Sequence, residues 1–321
     1  MDRSQGVLAA RLAAVDWRGL GVWLAVIALA LVALAMSPGF LSPRSLLNVL
    51  RQAAPLGIVA TGITLVMVAR RVDLSVGATA SLAAVVAAAL MRGSDERIVL
   101  AIGAALTVGA LVGLVNGFLV ARARLEPFVT TLGVAILLNG LNRTLTGGTA
   151  YGVLAPGFRR TLNAWWGGVP AAVVLLAAVV AVCAFLLHRT RFGRTLYLTG
   201  SNEEAARLSG VPVARSLTLA YVTSGTIGAF AGIVLLARYG ISGNLIGEGY
   251  EFDALAAAVL GGATFEGGKG TVWGTIGGVL LLSLAYTLVL LGGLSYHWQL
   301  VVRGGIIIGA VTLYALTRSR R

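Results

Sequence analysis

Apolar residues in this chain come in long runs separated by short polar stretches. A hydrocarbon layer of roughly 30 Å takes about 20 helical residues at 1.5 Å each, and runs near that length recur ten times. They cover residues 19–36, 49–69, 74–91, 98–120, 128–146, 168–187, 217–237, 252–264, 271–291 and 300–316. The eighth is short for a full crossing, so nine spans is the alternative count, and Pro55 lies inside the second. The pattern predicts an all-α, polytopic integral membrane protein of about ten transmembrane helices, with residues 1–321 forming one membrane domain. Ala33-Leu-Ala35 looks like a cleavage site, but the first run is long and many spans follow it, so it reads as an uncleaved helix. Residues 1–18, with Val7, Leu8, Arg11, Leu12 and Val15 in a mildly amphipathic pattern, are expected to be cytoplasmic and to lie along the membrane surface.

The basic residues orient this array. With the N-terminus inside, sixteen of the 25 Lys and Arg fall in cytoplasmic segments and nine at or toward the outer side. Lys and Arg accumulate on the cytoplasmic side of membrane proteins, so both termini are expected there, with an even number of spans. The longest inside loop is 188–216 and the longest outside loop is 147–167. Neither could form a separate soluble domain. An energy source or an extramembrane receptor must come from another polypeptide or from an ion gradient.

Composition narrows the class. Of 321 residues, 58% are hydrophobic and 12% charged, against about 45–50% and about 25% in soluble domains. A water-soluble globule and a disordered chain are both excluded. The net charge of +13 would suggest nucleic acid in a soluble protein. Here the cations are scattered between apolar runs, so the bilayer is the expected partner and nucleic acid is not. Cys183 is the single cysteine, and His188 and His297 lie far apart, which leaves no intrachain disulfide and no cysteine-based metal site. No cofactor or catalytic residue is expected. The loop at 263–271 resembles a phosphate-binding loop, but Ala263 and Gly270 stand where that pattern needs Gly and Ser or Thr. Among the 43 glycines, Gly109, Gly113 and Gly117 are four apart, as are Gly228 and Gly232, Gly270, Gly274 and Gly278, and Gly305 and Gly309. Residues four apart share a helix face, so these are predicted packing seams. Trp17, Trp23, Trp165 and Trp166 read as interfacial anchors.

Few residues are left to carry chemistry. Asp73 and Ser75 stand between two apolar runs. A charge at mid-bilayer costs at least ~2.5–3.5 kcal/mol, so Asp73 is either at a boundary, capping the third helix with Ser75, or in a polar cavity. Asn116, Thr130, Thr131 and Asn139 lie within predicted spans. They either line a solute pathway or bond between helices. In the large inside loop, Gly200, Ser201 and Asn202 form a turn or N-cap, Glu203 and Glu204 suit a first helical turn, and Ala205, Ala206 and Leu208 favour helix. Gly210 and Pro212 stop it. This short helix either connects two spans or docks a cytoplasmic partner.

These residues carry a resemblance. Gly200-Ser-Asn-Glu-Glu-Ala-Ala-Arg-Leu-Ser-Gly210 resembles the cytoplasmic coupling segment of ribose-type sugar permeases of ABC transporters, and Asp73-Leu-Ser-Val-Gly77 is similar to an element of the same family. So are Asn116-Gly-Phe-Leu-Val-Ala121, Glu126-Pro-Phe-Val-Thr-Thr-Leu-Gly133, Thr223-Ser-Gly-Thr-Ile-Gly-Ala-Phe-Ala-Gly232, the run from Gly249 to Gly262 and Gly267-Gly-Lys-Gly270, all in order. The resemblance implies a permease that imports a monosaccharide and pairs with a second permease copy, as a homodimer. It implies cytoplasmic ATP-binding subunits docked on the coupling helix, through Asn202, Glu203, Glu204, Ala205, Arg207 and Gly210. It also implies a periplasmic or lipid-anchored sugar-binding protein seated near 147–167 and 238–251, in a prokaryotic plasma membrane. Two features depart from the family. Arg70 and Arg71 precede Val72 where Gly-Gly is common, and are read as anchors to anionic headgroups. The stretch 285–293 lacks an expected Asn-Gly-Leu. A permease for branched-chain amino acids or another small polar solute is the alternative. An ion-coupled carrier would want a buried acidic residue, whereas Asp73, Glu126 and Asp253 sit near predicted span ends. No acid–base pair at helical spacing supports an enzyme.

Overall fold

The computed structural model describes residues 17–243 and 245–319. The surface segment expected at 1–18 lies outside them, except for the two residues that begin α1. The described chain is mostly helical: α1 (Trp17–Met36), α2 (Pro43–Val68), α3 (Val76–Met91), α4 (Ile98–Ala121), α5 (Pro127–Thr146), α6 (Pro156–Asn163), α7 (Ala171–Arg189), α8 (Arg191–Ser201), α9 (Glu203–Leu208), α10 (Val213–Tyr239), α11 (Tyr250–Leu260), α12 (Val272–Leu291) and α13 (Tyr296–Ser319). A two-residue antiparallel hairpin, β1 (Trp165–Trp166) with β2 (Val169–Pro170), precedes α7. Trp165 and Trp166 are half-exposed.

Helix starts follow local chemistry. Pro43, Pro127 and Pro156 occupy first turns, where a missing N–H costs nothing. The Glu126 carboxylate accepts from Val129 N at 2.7 Å, and Thr271 Oγ1 accepts from Gly274 N at 3.0 Å. Among the described residues, six helices are long and apolar enough to cross a membrane: α2, Asp95–Ala121, α5, α7, α10 and α12. Gly21–Met36 and α3 are shorter apolar helices. The eighth expected span is helical over only the 11 residues of α11.

α2 is the most enclosed of the six, packed by α7, α10, α11 and α12. The glycine seams do the close packing. Gly109, Gly113 and Gly117 of α4 lie against Gly225, Tyr221 and Thr218 of α10, backbone to backbone, and α4 and α10 form the most extensive helix pair. Gly232 lies on Ala80, and Gly274 and Gly278 lie on Gly261 and Ala257. Gly270 belongs to a turn instead, at φ +130°, and Gly305 and Gly309 meet no described atom within 4 Å.

Two helices begin inside the bundle. Val76, the first residue of α3, lies beside Gly228, just past the middle of α10. Gly247, just before α11, lies on Gly77, and its N–H reaches Ser81 Oγ at 3.0 Å. From this shared level the two run in opposite directions. At 1.5 Å per residue they span only about 24 and 17 Å, short of a ~30 Å core. α3 continues to the end where Gly93 N bonds Val153 O. α11 ends where Gly261 meets Gly274, the end that also carries α8 and α9. Each follows a long helix and an irregular connection, α2 with 69–75 and α10 with 240–249, so the two arms repeat one design in inverted sense.

Candidate functional site

Three places hold polar chemistry. The first surrounds Asp73, which is fully buried. Its Oδ1 accepts from Ser75 N at 3.1 Å and Ser75 Oγ at 2.7 Å, and its Oδ2 accepts from Ser224 Oγ at 2.9 Å. Asn116 Nδ2 donates to Ser75 Oγ at 2.7 Å, and Leu74 N donates to Thr131 Oγ1 at 3.1 Å. Tyr221 OH donates to the Val72 carbonyl at 3.0 Å. The knot therefore joins the entry of α3 to α4, α5 and α10. Four of the six expected pathway residues, Asp73, Ser75, Asn116 and Thr131, meet here. Thr130 instead bonds the Glu126 carbonyl of its own helix at 2.7 Å, and the half-buried Asn139 lies two turns further along α5. Ser75 is the N-cap residue of α3 but makes no side-chain cap bond. A carboxylate taken from water is tolerable only with several donors, and the three donors to Asp73 meet that need. Ser224 and Tyr221 were not singled out from the sequence, because a lone Ser or Tyr in an apolar helix carries no marker of its own.

The second place is a cavity of about 830 Å³ at the end away from α9, within the range of small-molecule sites. Gln52, Arg238, Glu248, Asp253, Tyr286 and Arg303 line it, with Thr149 and Arg143. Asp253 is the anchor. Arg303 Nη2 donates to its Oδ2 at 2.8 Å, Arg303 Nε lies 2.8 Å from its Oδ1, and Tyr286 OH donates to Oδ1 at 2.9 Å. The bidentate pair holds α11 to α13 and gives the cavity a charged wall. At its mouth Tyr151 N donates to Ser242 O at 3.2 Å, which brings the 147–167 and 238–251 segments together. Beside the start of α3, the Glu251 carboxylate rests against Gly77, where the helix dipole favours negative charge.

The third place is α9. The Asn202 side chain accepts from Ala205 N at 3.0 Å, as an N-cap does. Glu203 and Glu204 fill the first turn. Gly210 ends the element at φ +78°, a left-handed conformation that glycine adopts at no steric cost. Ala206 is the one buried residue of α9, and Leu208 is 84% exposed. Glu203 faces back into the protein: it pairs with Arg71 at 2.5 Å and Arg207 at 2.8 Å. Arg71 is thus held by a carboxylate within the chain, not directed to headgroups. Arg70 takes φ +61°, the conformation that suits the glycine common at this place in the resembling family. α8 is tied down alongside by Tyr197 OH, which donates to Gly270 O at 2.7 Å. Burial raises the Tyr197 phenol above its ordinary range and keeps that donor protonated. Among the described residues no group of His, Cys, Asp and Glu could hold a metal ion.

The family model described as "Branched-chain amino acid transport system / permease component" matches residues 45–311. The chain is 36% identical over 295 residues to the ribose import permease protein of Escherichia coli (strain K12), covering 90% of this chain and 91% of that one. It is 37% identical over 297 residues to the ribose import permease protein of Bacillus subtilis (strain 168), covering 92% of each. It is 34% identical over 319 residues to the galactose/methyl galactoside import permease protein of Salmonella typhimurium (strain LT2), covering 94% and 95%. No solved structure matches it.

Proposed function

The chain belongs to the family of branched-chain amino acid transport system permease components, and we propose that it is the membrane subunit of an ATP-driven importer of a monosaccharide. The observation that carries this reading is end-to-end similarity to relatives named for ribose and galactose import. It favours a sugar over the amino acids of the family's name. The protein is a multi-pass protein of a prokaryotic inner membrane.

Its parts divide the work. In this reading the ten segments cross the membrane or enter it from one side, with both termini cytoplasmic and α9 on that face. ATP-binding subunits dock there on Glu204, Arg207 and the exposed Leu208, with Asn202, Ala205 and Gly210 shaping the helix. A sugar-binding protein seats on the tied segments 147–167 and 238–251 at the other face and releases its cargo toward the cavity. Sugar hydroxyls suit the mixed donors and acceptors of Gln52, Arg238 and Glu248. A second copy of the permease pairs with the first. ATP binding and release would switch the pathway by rigid-body movement at the docking helices.

Reconstitution tests the reading. The permease in liposomes, with the ATP-binding subunits and binding protein of its host, should accumulate labelled ribose or galactose only when ATP is supplied. Leu208→Glu should insert normally yet fail to retain the ATP-binding subunit in a pull-down. Uptake by the permease alone, driven by an ion gradient, would refute the proposal in favour of a self-sufficient carrier.

A further inference from the structure

We propose that Arg71 is a positioning residue that links the docking helix to the polar knot, so that movement of α9 is passed through the Arg71–Glu203 pair to Asp73. The inference rests on the permease reading above. Its ground is the short covalent path. Arg71 is 17% exposed at its side chain and grips Glu203, the first residue of α9. The next residue, Val72, gives its carbonyl to Tyr221, and the one after is Asp73, bonded to Ser75 and Ser224. No helical turn lies between the pair and the knot to absorb a displacement, because α3 begins only at Val76.

The other contacts between the docking region and this strand of chain are of a different kind. Gly200 lies against the Val68 carbonyl and the Gly268 amide, and Gly267 lies against the Arg70 backbone. Such close backbone contacts resist compression and so transmit a push. Gly268 N also donates to Val68 O at 2.8 Å and can pull on the end of α2, but the Gly200 and Gly267 contacts have little attraction to pull on the chain that leads to Asp73. The ion pair supplies that second direction, which a cycling transporter needs as its ATP-binding subunits close and reopen. Glu203 also holds Arg207 one turn along α9 at 2.8 Å, so the pull is spread over the helix and not taken by a single residue. The same engagement turns Glu203 inward and leaves Glu204, Leu208 and the half-exposed Arg207 to face a partner.

The experiment is a double-mutant cycle on the reconstituted complex with its ATP-binding subunits and binding protein. Arg71→Ala, Glu203→Ala and the double variant are compared for sugar moved per ATP hydrolysed, and for the amount of ATP-binding subunit retained. Arg71→Ala should lower sugar per ATP by about tenfold, with subunit retention unchanged. The double variant should be no worse than the poorer single variant, as for residues that act as one unit. Arg71→Lys, which keeps the charge, should recover most of the ratio. A wild-type ratio in Arg71→Ala, multiplied losses in the double variant, or loss of the ATP-binding subunit from Arg71→Ala would each overturn the link. A wild-type complex that couples no uptake to ATP would instead refute the functional reading beneath it, so the two failures are told apart.

Discussion

Replacing Gly113 by alanine puts a methyl group into the closest part of the α4–α10 seam. An ideal Cβ at Gly113 lies 2.6 Å from Val222 Cα and presses on the Tyr221 carbonyl as well. Favourable carbon contacts run about 3.5–4.0 Å, so the overlap is about 1 Å. Main chain cannot swing aside as a side chain can, and the helices must part along the seam. Overpacking of this kind costs about 1–3 kcal/mol. The strain also falls on the knot, because Tyr221 holds the Val72 carbonyl and Asn116, one turn from Gly113, holds Ser75. Gly103 on the same helix provides the control, since a Cβ there meets nothing within 4 Å. Gly103→Ala gains helix propensity of about 1 kcal/mol without a clash. Thermal unfolding of the purified variants in one detergent should therefore split them. Gly113→Ala should melt several degrees below the parent, and Gly103→Ala at or above it. Equal melting temperatures for the two variants would refute the claim that the four-residue glycine spacing exists for backbone contact with α10.

Two further substitutions probe the polar sites. Asp253→Ala takes the carboxylate from a buried pair with Arg303, which costs about 3–5 kcal/mol, whereas Tyr286→Phe removes one hydrogen bond worth about 1 kcal/mol; melting temperatures in that order test the anchor, and an Asp253→Ala protein as stable as Tyr286→Phe contradicts it. Ser224→Ala withdraws one of the three donors to Asp73, at about 1.5–3 kcal/mol for a bond to a charged group, and should lower both melting temperature and uptake, while Thr223→Ala, whose exposed hydroxyl bonds only its own helix, should leave both near the parent.

Several of these features were readable in the chain, for reasons tied to particular residues. The spans were legible because lipid imposes a length on apolar runs, and the knot was half legible because an aspartate among apolar residues must find donors. Asp73 and Ser75 stood out between two apolar runs, and Asn116 and Thr131 as polar residues within predicted spans, on the same footing as Thr130 and Asn139, which the knot leaves out; Ser224 and Tyr221 come from a helix 151 and 149 residues away from their bonded partners. The eighth segment misled by composition. Its apolar run continues through Gly261 and Gly262, but the helix stops at Leu260, where Gly261 meets the backbone of Gly274 and Gly262 takes φ +93°. Asp253 and Arg303 were legible only as a conjunction. Each is a charge in or beside an apolar run, and two such charges lower one another's cost when they pair. Taken singly, Asp253 looked like a residue near a span end. Arg71 read as a headgroup anchor for the same reason: its carboxylate partner is 132 residues away.

The irregular connections deserve a physical reason, since unpaired backbone is not tolerated facing lipid. Here the inner part of each is buried: 73–75, bonded to α4, α5 and α10 through the knot, and Ser242, Gly247 and Gly249, with Gly247 against α3, while Ile241 and Leu245 are exposed. The enclosure places the N-termini of α3 and α11 at one level, pointing at each other, with Glu251 between them at Gly77. Two positive helix ends facing each other would repel, and a carboxylate at the junction offsets that repulsion. Both arms are also tied to α8 and α9, α3 through the connection before it and α11 through the loop after it. The α3 arm is tied through Arg71 and Glu203, and the α11 arm through Gly268, which lies against Ser201, and Gly270, whose carbonyl accepts from Tyr197 OH. The long helices α2 and α10 are locked by broad close contacts, whereas α3 and α11 are short and begin in polar junctions. A displacement entering at α9 thus reaches α3 from its N-terminal side and α11 from its C-terminal side, and it also meets the end of α2, where Gly200 lies against Val68.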